Sequence, residues 1–199
     1  LHGLDDPGAV RATDPPGRTG GEIAPAILLR HDIPAEQIDV RALDVRHACA
    51  RAYAELCPED LSSLVAPGVV DLLEALSDRE EIRLSLLTGN FEAVARLKLR
   101  RAGIGDYFEP EQGAFGSDGE DRAGLPAIAR RRAGTTSTPH PRERTMVIGD
   151  TPLDIACARA DDVRCLAVAT GPFGVADLGD ADGVAAHAAE LLPLVEAAL

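Results

Sequence analysis

From Ile82 to the end of the chain, short apolar runs alternate with segments of helical period. IRLSLLTGN, TMVIGD and RCLAVAT are the main runs. FEAVARLKLRRAGI, EDRAGLPAIARRRAG, TPLDIACARAD and AAHAAELLPLVEAAL read as helices, while YFE and GAFGS read as short extended pieces. Parallel strands cannot be joined by a tight turn; they need a crossover, and a helix supplies it. This alternation confines the chain to an α/β fold, a Rossmann-like parallel sheet with covering helices.

Residues 21–80 follow a different rule. GEIAPAILLRHDI is one helical stretch, and AEQIDVRALDVRHACARAYAEL is a second, with Ile38, Ala42, Val45, Ala48 and Ala52 at helical spacing. Ile33-Pro34 breaks them apart. PGVVDLLEALSDR adds a helix with Pro67 near its start. The expected organisation is a Pro-, Gly- and Asp-rich loop over 1–20, an α-helical cap and connecting helix over 21–80, and the α/β core over 81–199.

The 199 residues suit one domain or a core with a modest insertion. A net charge of -13 disfavours nucleic acid and anionic membrane surfaces as partners, though local groups can still hold an anionic substrate. No apolar run approaches the roughly 20 residues of a membrane span. Cys49, Cys57, Cys157 and Cys165 form no C-x-x-C pair and read as reduced, mostly buried thiols of a cytoplasmic protein.

Sites in open parallel sheets lie beyond the carboxyl ends of the strands. Asp150 occupies such an end in TMVIGDTPLD. Thr151 can cap the next helix and Pro152 fits its first turn. Asp154 then falls one turn on, so both carboxylates can face one crevice. Two hard oxygen ligands suit Mg2+. An acid at the position of Asp154 also favours the helix dipole, so this segment alone leaves metal binding and capping open. In LSLLTGN, Thr88 and the amides after it can cradle a phosphate at a helix N-terminus, or Asn90 can simply cap that helix, with Gly103 as its stop.

LSLLTGN and VIGDTPLD, in this order with a helix after each and GAFGSDGEDR between them, resemble the second and fourth motifs of the haloacid dehalogenase superfamily. Within it the chain is most similar to the phosphoglycolate-phosphatase-like group with a helical cap, most strongly from Val69 to Gly171. The resemblance implies a Mg2+-dependent phosphatase that acts on a small phosphorylated metabolite through an aspartyl-phosphate. Carried over, Thr88 hydrogen-bonds the phosphate with the Gly89 and Asn90 amides, Asp150 holds Mg2+, and Asp154 is a further ligand or an orienting carboxylate. Having both acids favours the phosphatase branch over the metal-free dehalogenase branch.

The third motif is a lysine or arginine, here Arg122 or Lys98. Arg122 is preferred, because it opens the helix before TMVIGD and a guanidinium can grip phosphate through two bonds. Lys98 lies mid-helix among Arg96, Arg100 and Arg101, a run that reads as a solvated face. Arg18 in PGRTGGE could reach a substrate from the cap, or be an ordinary basic loop residue. His31, His47, His140 and His187 form no cluster and read as surface or packing residues.

The family's first motif, an apolar strand followed by D-x-D-G-T, carries the nucleophile and the general acid/base. The 199 residues lack it: Asp5 and Asp6 in GLDDPGAV have neither the strand nor the spacing. That strand is central in this fold, so its absence predicts two unpaired strand edges around a gap. The expectation is an inactive fragment of a complete phosphatase; the competing one is a non-catalytic phosphate- or partner-binding relative. A receiver-like signalling domain is disfavoured by the TGN and GDTPLD pair.

Overall fold

The structure, a computed structural model, describes residues 19–199. It opens with three helices: α1 (Gly20–Arg30), α2 (Ala35–Val40) and α3 (Ala42–Leu56). Thr19 caps α1 by accepting from the Glu22 amide at 3.1 Å. The break at Pro34 falls where the sequence puts it. The single helix expected after it is instead two, bent at Arg41, which has φ -104 and ψ 9. The bend leaves Ile38 buried while Val40 and Leu43 stay exposed.

α4 (Val69–Ser77) follows Gly68, whose φ of 83 suits only glycine there. Its stripe of Leu72, Leu73 and Leu76 is buried. Leu72 and Leu76 pack with Leu166, Val168, Ala185, Leu191 and Val195, so α4 belongs to the packing of the sheet.

The remaining elements are β1 (Leu87–Thr88), α5 (Glu92–Arg101), β2 (Ala114–Phe115), α6 (Leu125–Ala133), β3 (Met146–Gly149), α7 (Pro152–Ala160), β4 (Arg164–Val168), β5 (Gly183–Ala185) and α8 (Leu191–Ala198). All strand pairs are parallel. β3, β4 and β5 form one sheet in that order, and β1 pairs with β2 in another. β4 shows how the sheet is covered. Leu166 and Val168 face the cluster with α4 and α8, whereas Cys165 and Ala167 join Val147, Ile155, Ala158 and Leu178 in a second cluster. Alternate residues thus feed opposite apolar layers, as in a parallel sheet with helices on both faces.

Two expectations shift. The first strand shrinks to Leu87–Thr88; upstream, only the Leu86 carbonyl continues the pairing, accepting from Ala114 N at 2.8 Å. Ile82 and Leu84 still pack against the core. The final helix, expected from Ala185, starts at Leu191, and β5 precedes it. Alanine-rich GVAAHAAE carries helix propensity that the parallel partner β4 overrides.

Among the described residues, β1 and β3 each end their own sheet and do not pair with each other. Ile148 in β3 is 39% exposed, although strands of parallel sheets are ordinarily covered on both faces.

A buried ion cluster ties α6 to the end of α7. Arg130 grips Asp161 with two bonds, Nε to Oδ2 at 2.7 Å and Nη2 to Oδ1 at 3.0 Å. Arg142 adds a bond to Oδ1 at 3.1 Å and one to the Asp161 carbonyl at 2.7 Å. Burial alone would raise the Asp161 carboxyl, but the two guanidinium groups outweigh it and hold it below the usual carboxylate range. Cys57, Cys157 and Cys165 are buried, Cys49 is exposed, and all four are free thiols. No described helix is long and apolar enough to cross a membrane.

Candidate active site

The chain turns from β3 into α7 at Gly149, Asp150 and Thr151. Thr151 and Asp154 form a capping box: Thr151 Oγ1 accepts from Asp154 N at 3.2 Å, and Asp154 Oδ2 accepts from Thr151 N at 3.0 Å. Asp154 Oδ2 also accepts from Thr151 Oγ1 at 2.8 Å and Asp150 N at 3.2 Å. Its Oδ1 is paired with the Arg122 guanidinium. A Cβ on Gly149 would stand 2.3 Å from Asp154 Cγ, so only glycine lets the carboxylate fold back over the strand end. Asp154 is buried with both oxygens engaged. It orients Arg122 and the backbone of Asp150.

Asp150 is the opposite case. It is half-buried, and no other described residue donates a hydrogen bond to its carboxylate. Burial, then the charge of Asp154, push its carboxyl above the usual range, while Arg122 pulls it down. Gly171, just after β4, packs against it: a Cβ there would lie 2.3 Å from Asp150 Oδ2. An oxygen donor with a raised pKa and no donor from another described residue fits a hard divalent cation, which favours the ionised form. The described residues offer no group of three or more His, Cys, Asp or Glu side chains placed to hold a metal. A cation here would therefore draw further ligands from water and substrate.

The second junction follows β1. Thr88 Oγ1 accepts from Asn90 N at 3.2 Å and from Asn90 Nδ2 at 3.0 Å. Lys98 Nζ donates to Asn90 Oδ1 at 3.0 Å. Asn90 is therefore not the helix cap: Phe91 holds that position, with no side-chain cap bond. Gly103 does follow the helix end, at φ 74. The expected solvated face is also corrected. Lys98 is half-buried against Asn90 and the Tyr53 ring, Arg96 donates to the carbonyls of Phe108, Glu109, Pro110 and Gln112, and Arg101 donates to those of Ala54 and Cys57. Of the four cations only Arg100 is exposed.

Backbone joins the two junctions. Gly20 N donates to Gly89 O at 2.7 Å, and Gly116 N donates to Asn90 O at 2.9 Å. A Cβ on Gly116 would sit 2.0 Å from Gly89 O, so the close approach requires glycine. Thr19 Oγ1 donates to Glu120 O at 2.6 Å. The loop holding Gly116 and Glu120 leads to Arg122, which reaches Asp154. Backbone and side-chain bonds thus link the segment after β1 to the loop that carries Arg122, and Arg122 links that loop to Asp154. Arg18, Asp5 and Asp6 fall outside the described residues.

Sequence reading passed over Gly116, Gly149 and Gly171; their signal was a glycine at or just beyond a strand end. It also passed over D-A-D-G-V at 180–184, which imitates the first motif. That segment leads into β5 rather than out of a strand. Asp182 there pairs with Arg159 at 2.9 Å and accepts from Cys165 N at 2.7 Å, near the start of β4. It lies at the amino end of the sheet and cannot serve this site.

The parallel sheets place Thr88 at the end of β1, Arg122 after β2, and Asp150 and Asp154 after β3. The chain belongs to the haloacid dehalogenase-like hydrolases, whose family pattern it matches over residues 21–159. Over 75 residues it is 32% identical to pyrimidine 5'-nucleotidase YjjG of Escherichia coli (strain K12), a match covering 38% of this chain and 30% of that protein. The matched stretch is thus less than a third of that relative. CbbY from Rhodobacter sphaeroides, solved with phosphate, is similar in fold at a TM-score of 0.63 and 22% identity, over 87% of this chain and 75% of that one. A CbbY variant in complex with xylulose-(1,5)bisphosphate gives a TM-score of 0.62 at 22% identity, over 92% and 77%. A hydrolase from Pseudomonas syringae gives 0.59 at 22%, over 83% and 73%.

Proposed function

We propose that these residues are the phosphate- and Mg2+-binding part of a phosphoric monoester hydrolase acting on a small phosphorylated metabolite. The observation that carries this is Asp150: a half-buried carboxylate to which no other described residue donates, beside an Arg122 fixed by Asp154. The relatives support it, since one is named a nucleotidase and another was solved with phosphate and with a sugar bisphosphate.

In this reading Asp150 is the direct metal ligand, and Asp154 is the orienting carboxylate. A Mg2+ bound at Asp150 would neutralise charge on the phosphoryl oxygens. The Thr88 hydroxyl and the Gly89 amide hold those oxygens before α5, while both Asn90 amides support the Thr88 hydroxyl. Arg122, held in place by Asp154, offsets their remaining charge. α1–α3 form the cap that selects the substrate, with Arg18 as a candidate contact. The net charge of -13 and the unbridged thiols support a cytoplasmic enzyme of metabolites rather than a nucleic-acid or membrane protein.

The covalent step needs a carboxylate that the described residues do not present at this edge. We place it on a strand between β1 and β3, followed by D-x-D-G-T. The 199-residue chain then binds phosphate without turning it over, because binding alone does not lower the barrier. The missing motif also favours a second reading, a relative that only binds phosphate.

One assay separates the readings. Hydrolysis of p-nitrophenyl phosphate is measured with and without Mg2+, for the 199-residue chain and for a version extended at its N-terminus by an apolar strand and D-x-D-G-T. The expected result is EDTA-sensitive turnover by the extended version alone. Turnover by neither supports the binding-only relative. EDTA-sensitive turnover by the 199-residue chain overturns the assignment of the nucleophile.

A further inference from the structure

We infer that Lys98 is a positioning residue: through the Asn90 amide it makes the Thr88 hydroxyl a donor aimed at a bound phosphate, an inference that rests on the phosphate-site reading above. An ammonium can only donate, so the Asn90 atom 3.0 Å from Lys98 Nζ must be the carbonyl oxygen. That fixes the amide, and Nδ2 faces Thr88 Oγ1 at 3.0 Å. The Asn90 backbone amide donates to the same oxygen at 3.2 Å. A hydroxyl has two lone pairs and one hydrogen. Both lone pairs of Thr88 are taken, so its hydrogen is directed away from Asn90.

The reversed amide would do the opposite. Oδ1 would then face Thr88 and draw the hydroxyl hydrogen to itself, leaving a lone pair turned toward the anion. Lys98 selects between these two states from eight residues away along the chain. Its own position is held from α3, where the Tyr53 ring lies 5.2 Å from Nζ, a cation–π contact. The orientation of the phosphate donor is therefore tied to the helical layer that precedes the core. The charge behind the amide also polarises it, which strengthens the bond to Thr88.

The test is calorimetric titration of the 199-residue chain with inorganic phosphate at fixed Mg2+. Thr88→Val is expected to weaken binding about tenfold, the loss of one bond to a charged group. Lys98→Met is expected to weaken it about fivefold. Lys98→Arg, which can still donate to Asn90 Oδ1, recovers most of the loss. The double variant Lys98→Met with Asn90→Ala binds no more weakly than Asn90→Ala alone, because Lys98 acts through Asn90. Additive losses would mean that Lys98 meets the phosphate directly, and would overturn the inference. So would Lys98→Met with wild-type affinity while Thr88→Val binds weakly; the phosphate site itself would then stand. Absence of phosphate binding by the wild-type chain, or no effect of Thr88→Val, overturns both.

Discussion

Asp150→Asn is expected to lower Mg2+-dependent hydrolysis by at least about a hundredfold in the extended version, with little loss of stability. Even residues behind the metal ligands typically account for about 10- to 100-fold in affinity or activity, so a direct ligand should account for no less. Stability should be spared because no other described residue donates to the Asp150 carboxylate. Burial and Asp154 hold its carboxyl above the usual range, so the ionised group costs folding free energy at neutral pH. Asparagine removes that cost. Asp154→Asn should behave differently. It disturbs the capping box and the Arg122 pair, so the protein should melt lower as well as lose activity. Thermal denaturation of both variants checks the contrast. An Asp150→Asn chain that melts as low as Asp154→Asn would make Asp150 a structural residue.

Arg130→Ala is expected to cost about 3 kcal/mol or more, the usual result of leaving one member of a buried pair unpaired. For a chain of this size, that corresponds to a melting temperature lower by about 6–12 °C. Asp161, 5% exposed, would keep only Arg142, which is largely exposed. The pH dependence has a definite sign. The Asp161 carboxyl is held below its usual range, so its stabilisation is fully present above the unfolded value, about 3.9. It is lost as pH falls through the lower folded value. The gap between wild type and Arg130→Ala should therefore be constant from neutral pH down to about 5 and narrow below about 4. A gap that persists in acid would trace the loss to packing of the arginine stem instead.

The sequence carried the sheet because period and length agree: β3 and β4 are apolar, bounded by polar turns and followed by helix or loop signals. The turn after β3 was also legible, since Thr151, Pro152 and Asp154 are each the residue type their position needs. Other features were hidden for identifiable reasons. β5 spans three small residues whose conformation comes from pairing with β4, a contact that no local pattern records. The role of Lys98 was obscured by its neighbours. Arg96, Lys98 and Arg101 look like one charged face, yet each turns inward to a different set of oxygens. Gly116, Gly149 and Gly171 show their meaning only where a Cβ would strike a partner from elsewhere in the chain.

The most direct measurement is the coupling between Mg2+ and phosphate on the 199-residue chain. Calorimetric titration with inorganic phosphate is run with and without Mg2+, on wild type and on Asp150→Asn. If Asp150 holds the cation beside the phosphate cradle of Thr88, Mg2+ tightens phosphate binding about fivefold or more, and Asp150→Asn abolishes that gain. Phosphate affinity that is the same with and without Mg2+, or a Mg2+ effect that survives in Asp150→Asn, would contradict the assignment of this strand edge as one phosphate and metal site.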